Sequence, residues 1–174
     1  MPAVPTLAGA LSIVSVLAWS PAAMSAAPAT RLASFHLDAR PERVLPLFTA
    51  AGEREWAEGW DPVILSGNGE RGSAFRTRSP EGRETVWTVI AYDPSAGRAS
   101  YARLAQNSNI GIVDVTCTPA AGGGTDVGVR YTLTPLSAEG EAFVERFLSA
   151  PEYAQMIEEW RVATSAALAR RGAR

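Results

Sequence analysis

Lysine is absent from this 174-residue sequence, and cysteine and histidine each occur once. All 16 basic residues are arginines, they are scattered along the chain, and the formal net charge is -2. A chain with no basic cluster lacks the positive surface that binds nucleic acid, so we expect no nucleic-acid partner. The single Cys117 excludes an internal disulfide and a cysteine-based zinc site, and the single His36 excludes a histidine-cluster metal site.

Motifs that bind nucleotides or activate a serine are also missing. The sequence contains no Walker loop, no dinucleotide-binding fingerprint and no G-x-S-x-G elbow. The glycine run Gly122–Gly124 lies between two strand patterns. It therefore predicts a hairpin turn, because a phosphate cradle requires a following helix. We expect neither a metal nor an organic cofactor.

The N-terminus differs in composition from the rest of the chain. Residues 1–27 contain the apolar run Leu7–Ala18 followed by small residues, which is typical of a secretory signal peptide and too short for a stable membrane span. We favour export, to the periplasm or out of the cell. However, no basic residue precedes Arg31, so a leader that is not translated is the alternative, with a cytoplasmic protein starting at Met24. Residues 31–170 then form one domain, long enough to bury a substantial core.

The strongest helical pattern covers residues 149–168. Pro151 fits the first helical turn, and Ser149 with Glu152 has the spacing of a capping box. This start predicts a break from a shorter preceding helix near residues 148–150. Apolar residues recur on one stripe of the long helix: Tyr153, Met156, Ile157, Trp160, Ala163, Ala167 and Leu168.

Strand patterns separated by turns precede this helix. The first, Arg31–Asp38, alternates so that Phe35 lies on its apolar face and His36 on its solvent side. Two short helices follow, one starting at Pro41 and one over residues 50–57. Consecutive hairpins then predict an antiparallel sheet, and one long helix across it leaves a space between the two. The further strands are predicted at Val63–Ser66, Ser73–Arg78, Glu84–Tyr92, Arg98–Ala105, Asn109–Thr118 and Thr125–Thr134.

Alternation also assigns residues to faces of the sheet. In the last hairpin the two apolar sets must share a face, because a one-residue slip would turn one of them to water. Asp114 and Arg130 then lie together on the opposite face as a surface ion pair, and Cys117 is a small buried hydrophobe. In the preceding hairpin, alternation gives two same-face pairs without deciding which faces inward: Trp87 with Tyr101, and Ile90 with Leu104.

Several segments resemble the SRPBCC superfamily (START-related, polyketide-cyclase-like, helix-grip). They are RLASFHLDARPERVLPLF, GEREWAEGWDP, the turns SPEG and YDPSAGR, and the ending YTLTPLSAEGEAF with EEWRVATSAAL. The resemblance covers residues 33–168 and implies an α+β, helix-grip fold. In that fold a curved antiparallel sheet of about six or seven strands wraps around the long C-terminal helix, and two short helices follow the first strand. It also implies a cavity between the sheet and that helix.

Large side chains are available to line such a cavity. An apolar pocket with a few polar groups is the usual small-molecule site, although core filling is the alternative role for each aromatic residue. The pocket candidates are Trp56, Trp60, Phe75, Trp87, Tyr101, Tyr131, Met156 and Trp160. Tyr101 and Tyr131 are the candidate hydrogen-bond donors to a ligand carbonyl. A run of acids could present a carboxylate at the pocket mouth, although such a run usually marks a solvated helix face: Glu53, Glu55, Glu58 and Asp61.

Three functions fit these expectations, because SRPBCC proteins include lipid binders, polyketide cyclases and co-chaperones. We favour binding of a hydrophobic small molecule or lipid, with transport or sequestration as its purpose. The alternative is a polyketide cyclase- or dehydratase-like enzyme, which a perturbed carboxylate deep in the cavity would favour. A second alternative is a protein-interaction module with an exposed apolar patch. The sequence does not mark a catalytic residue.

Overall fold

The computed structural model describes residues 27–173. In chain order the elements are β1 (Ala29–Leu37), α1 (Pro41–Val44), two 3₁₀ helices (Leu45–Phe48 and Gly52–Glu55), β2 (Val63–Ser66), β3 (Ala74–Arg78), β4 (Glu84–Asp93), β5 (Arg98–Ala105), β6 (Asn109–Pro119), β7 (Thr125–Pro135), α2 (Ala138–Phe147) and α3 (Ala150–Gly172). The leader predicted for residues 1–27 lies outside the described residues, apart from its last one.

The strands form one seven-stranded antiparallel sheet in the order β1-β7-β6-β5-β4-β3-β2. Consecutive strands from β2 to β7 are neighbours, as tight turns require. β1 instead returns to the far side and pairs with β7 along its whole length. The sheet is open and curved, and α3 packs against its inner face, so the predicted α+β helix-grip fold is confirmed. Among residues 27–173, no helix has both the length and the apolar character needed to cross a membrane.

The predicted faces of the last hairpin are confirmed. The apolar residues of β6 and β7 point inward, and Cys117 is 2% exposed. Burial raises the pKa of the Cys117 thiol to about 12, so it behaves as a small hydrophobe. Asp114 and Arg130 lie directly opposite each other on the outer face. However, the hydrogen bond that the Asp114 carboxylate accepts comes from the Ser100 hydroxyl, at 2.6 Å.

An irregularity in β4 determines which of its residues face inward. The pairing with β5 shifts between Val89 and Ala91, so alternation changes there. Trp87 faces inward with Tyr101, and beyond the shift Tyr92 rather than Ala91 lies on the inner side. Ile90 falls at the shift itself, and the residue opposite Leu104 is Val86, on the outer face.

The two C-terminal helices break where predicted, between residues 147 and 150. Ser149 is the N-cap residue of α3, but the predicted capping box is wrong. That motif needs the Ser149 amide to donate to the Glu152 side chain, and this amide instead donates to the Arg146 carbonyl. A working cap is found at α2, where Ser137 Oγ accepts from the Gly140 amide at 3.0 Å.

The predicted solvent side of β1 is confirmed. The side chain of His36 is 44% exposed, and its Nδ1 lies 3.0 Å from Asp126 Oδ1. This hydrogen bond raises the pKa of His36 above its ordinary value. The histidine therefore belongs to a surface pair on the outer face and does not face the interior.

Candidate functional site

A cavity of about 270 Å³ lies between the inner face of the sheet and the helices. It is lined by Phe48, Ala50, Glu53, Trp56, Ala57, Trp60, Phe75, Trp87, Tyr101, Arg103, Val113, Val115, Tyr131, Phe143, Phe147, Met156 and Trp160. All eight residues predicted from the sequence are in this set. The structure thus brings them around one space, and their role in holding a ligand stays a prediction.

Strand register builds the sheet side of the cavity. Phe75 on β3 lies opposite Trp87 on β4, and their rings stack at 5.8 Å with an angle of 3° between planes. Tyr101, Val113 and Tyr131 lie opposite one another across β5, β6 and β7 in the adjacent cross-strand row, which begins with Val89 of β4. Because neighbouring strands place same-face side chains side by side, these residues form a continuous apolar wall.

Two tryptophans from the segment after α1 close the cavity on the opposite side. The indole of Trp56 donates to the Leu47 carbonyl at 2.7 Å, and that of Trp60 donates to the Ala50 carbonyl at 2.9 Å. With the N–H groups satisfied by backbone, the rings present carbon surface to the cavity. Trp160 of α3 packs edge-on against Trp56, with ring centroids 5.2 Å apart.

The two tyrosines differ in what they can offer a ligand. The Tyr101 hydroxyl donates to the Phe48 carbonyl at 2.8 Å, so its proton is already used in this structure, and its role as a ligand donor stays a prediction. This hydrogen bond holds the first 3₁₀ helix, Leu45–Phe48, against β5. The Tyr131 hydroxyl makes no hydrogen bond within residues 27–173 and remains available. Burial raises the pKa of Tyr131, so the group is a neutral donor.

Glu53 is the acid of the run that enters the cavity. Its side chain is half-buried and lines the aromatic space. Desolvation raises its pKa to about 8, so Glu53 is protonated at neutral pH. The other three acids of the run, Glu55, Glu58 and Asp61, are exposed as predicted.

Helical spacing contains a signal for Glu53 that sequence reasoning missed. Glu53, Trp56, Ala57 and Trp60 recur at intervals of three and four residues, and all four line the cavity. The acid thus shares a stripe with two predicted pocket residues. Glu55 lies off that stripe, and its carboxylate accepts from Arg171 of α3 at 2.7 Å. This bond fixes the turn that carries Glu53 to the end of the long helix.

Arg103 is the second polar residue of the cavity that sequence reasoning missed. It is two residues from Tyr101 on β5 and lies directly opposite Trp87, so alternation directs it inward. Its guanidinium carbon lies 5.2 Å from the centre of the Trp87 ring, and the residue is 9% exposed. Burial lowers the pKa of Arg103 from its ordinary value. Its Nε has no hydrogen-bond acceptor among residues 27–173.

Two further hollows adjoin the cavity. One, of about 550 Å³, is polar, and Arg103 and Phe143 line both it and the cavity. The other, of about 500 Å³, shares Ala50, Phe75 and Tyr101 with the cavity. These shared residues separate the aromatic cavity from the two hollows. Within residues 27–173, no group of three His, Cys, Asp or Glu side chains could hold a metal ion.

Solved structures of the same fold cover nearly the whole described chain. An uncharacterized protein from Rhizobium leguminosarum is 19% identical with a TM-score of 0.62, over 84% of this chain and 97% of the other. A protein from Rhodobacter sphaeroides is 22% identical with a TM-score of 0.59, over 81% and 92%. Norcoclaurine synthase from Thalictrum flavum is 12% identical with a TM-score of 0.64, over 91% and 98%. These identities show the fold alone.

Comparison with curated proteins finds no significant match. A family match is nevertheless clear, since residues 32–159 fit the family described as polyketide cyclase / dehydrase and lipid transport. The match spans most of the sheet and α3 as far as residue 159, and therefore every lining residue of the cavity except Trp160. The chain belongs to this family and, with it, to the SRPBCC superfamily.

Proposed function

We propose that this protein binds a hydrophobic, aromatic small molecule in the cavity between the sheet and α3. The observation that carries the proposal is the lining, which consists of aromatic and aliphatic side chains with two strongly polar ones. Such a composition is typical of small-molecule sites. An engineered apolar cavity of about 150 Å³ holds one benzene. A cavity of about 270 Å³ therefore suits a ligand of one or two fused rings.

A structural neighbour supports this class of ligand. Norcoclaurine synthase from Thalictrum flavum has been solved in complex with dopamine and hydroxybenzaldehyde, two small aromatic compounds. The family description adds lipid transport as a second hydrophobic cargo. The dense aromatic walls here favour flat rings over a flexible chain, because stacked and edge-on contacts need planar partners.

A cavity-filling substitution tests the proposal. Val113 is 4% exposed and points into the cavity, whereas its neighbour Ile112 is 41% exposed on the outer face. We expect Val113→Phe to weaken binding of 2-naphthol by about tenfold or more, since the new ring occupies ligand volume. Ile112→Phe should leave it unchanged. Titration calorimetry and quenching of tryptophan fluorescence provide the measurement, with circular dichroism to check folding.

The affinity of Val113→Phe for 2-naphthol shows whether the probe binds in the cavity. Equal affinities of a folded Val113→Phe protein and the wild type would place the probe elsewhere and remove the support for a cavity ligand. No binding of 2-naphthol, 2-naphthoate or 2-naphthamide by the wild type would count against the proposed function itself.

Glu53 favours a second candidate function, a cyclase- or dehydratase-like enzyme. Its carboxyl lies in the cavity with a pKa raised to about 8, and a general base works best when its pKa lies near the working pH. The ionised group would accept a proton from the carbon beside a ketone. The C–H electron pair then forms the C=C bond of the enolate as the carbonyl π pair moves to oxygen, and the free Tyr131 hydroxyl is the available donor to that enolate oxygen.

Proton exchange detects this chemistry without knowledge of the natural substrate. In D₂O the wild type should speed deuterium incorporation into the methyl group of 2-acetonaphthone, measured by NMR. The rate should rise with pH and level off above about pH 8, because only ionised Glu53 is a base. Glu53→Gln should abolish the acceleration and retain binding of the ketone. Glu58→Gln, at an exposed position, is the control. Exchange that persists in Glu53→Gln would exclude Glu53 as the base.

A further inference from the structure

The guanidinium of Arg103 is buried without an anionic partner. None of the ion pairs or hydrogen bonds within residues 27–173 involves this side chain, and its Nε is a buried donor with no acceptor. Its one close polar interaction is with the face of Trp87. A buried charge normally has a partner, because the loss of hydration costs several kcal/mol. The Arg103 guanidinium is therefore a positive group that no side chain of residues 27–173 neutralises.

No group that lines the cavity supplies the missing charge at neutral pH. The titratable residues that line the cavity besides Arg103 are Glu53, Tyr101 and Tyr131. Burial raises the pKa of each, so each is neutral at pH 7. The lining residues from α2 and α3 are Phe143, Phe147, Met156 and Trp160, which carry no charge. The cavity thus has a net positive charge at one end.

The polar end of the cavity has a second sign of a missing partner. Asn109 Oδ1 is a buried acceptor without a donor, and Asn109 lines the same polar hollow as Arg103. The nearby carboxylate of Glu84 is already used, since it accepts from Arg78 at 2.6 Å. The Arg103 donor points to an acceptor that is bound there and is not part of the chain, whereas Asn109 Oδ1, itself an acceptor, needs a separate donor such as water.

We propose that Arg103 selects the ligand, and that the ligand is an aromatic acid of one or two rings whose carboxylate bonds to this guanidinium. The inference rests on the proposed function and names its ligand class. The rings would occupy the aromatic space, and the carboxylate would lie at the partition that Arg103 and Phe143 form with the polar hollow. Arginine suits this role because its planar fork matches a carboxylate.

Glu53 makes the selection depend on pH. While protonated, Glu53 adds no charge to the cavity, and the acid ligand alone compensates Arg103. Ionisation of Glu53 would place a second negative charge in the same cavity, and its repulsion of the ligand carboxylate should lower the affinity for the acid as pH rises above about 8. A neutral ligand of the same shape should lack this dependence.

The test compares 2-naphthoate with its neutral amide, 2-naphthamide, by calorimetry at pH 7. We expect the wild type to prefer the acid by about tenfold or more, as a charge-assisted hydrogen bond implies. Arg103→Met should remove the preference and retain binding of 2-naphthol. Arg103→Lys keeps the charge and should retain part of the preference. Arg130→Met, on the exposed outer face, is the matched control and should behave as wild type.

Equal binding of acid and amide by the wild type would overturn the proposal while leaving the proposed function intact. A preference that survives in Arg103→Met would also overturn it. Failure of all the naphthalene probes would instead count against the proposed function. If Arg103→Met does not fold, the comparison of acid with amide in Arg103→Lys decides the question, because a preference as large as that of the wild type would overturn the proposal.

Discussion

Glu53→Gln should make the protein more stable than the wild type at pH 9 by about 3 kcal/mol, and leave the two equal near pH 4. In the folded protein desolvation raises the pKa of Glu53 from 4.5 to about 8. Between these values the native state holds a proton that the unfolded state has lost. The free energy of unfolding therefore falls as pH rises through this window, and the penalty is complete above about pH 8. Glutamine does not ionise, so the Glu53→Gln protein does not lose this part of its free energy of unfolding.

Urea unfolding of both proteins from about pH 4 to pH 9 provides the measurement. The difference between the two curves isolates Glu53, because all other titrating groups are shared. The control is the same substitution at the exposed Glu58, and Glu58→Gln should follow the wild-type curve. Parallel curves for Glu53→Gln and the wild type would show that the Glu53 carboxylate is solvated in the folded protein.

Gly52→Ala should destabilise the protein by about 3 kcal/mol or more. Gly52 is buried at the start of the second 3₁₀ helix, and an added Cβ would overlap the Pro46 carbonyl oxygen and press on the Leu47 Cα. Both are backbone atoms of the first 3₁₀ helix, so they cannot rotate aside as a side chain would. The two turns would have to separate, and the residue that moves first is Glu53.

Chemical unfolding and near-ultraviolet circular dichroism measure both effects. Gly122→Ala is the control, since a Cβ there meets open space in an exposed turn. A Gly52→Ala protein within about 1 kcal/mol of the wild type would mean that the two 3₁₀ helices adjust without cost. The expected result would show instead that close backbone contact positions the acid in the cavity.

The sequence predicted the architecture because local signals and the global fold agree. Turn residues marked the strand ends, and alternation placed Trp87 and Tyr101 on one face without deciding whether that face points inward. The structure brings Phe75, Trp87, Tyr101 and Tyr131 together on the inner face. The stripe of apolar residues on the long helix likewise predicted that Trp160 lies on the cavity side of α3. The irregularity at Ile90 was not visible, because a register shift depends on the partner strand as well as on the strand's own pattern.

The polar half of the site was missed for a different reason. Pattern reading assigns charged residues to solvent, and that rule holds for Glu55 and Glu58 but fails for Glu53 and Arg103. Their burial results from closure of the 3₁₀ segment and α2 over the sheet, which is a tertiary event. Sites that bind ligands are where such departures from local rules are expected. In the proposed complex, the ligand would compensate the cost of their burial.

Because β1 pairs with β7, the last strand, β1 has no partner strand until most of the chain has been synthesised. Thr30 and Thr132 share a hydrogen bond although 102 residues separate them. At a translation rate of about 5–20 residues per second, β1 therefore waits roughly 5–20 s for its partner strand. Until then the backbone groups of β1 remain unpaired on the nascent chain. We expect the sheet to close only after β7 has left the ribosome, and folding to be slow, as contacts distant in sequence require.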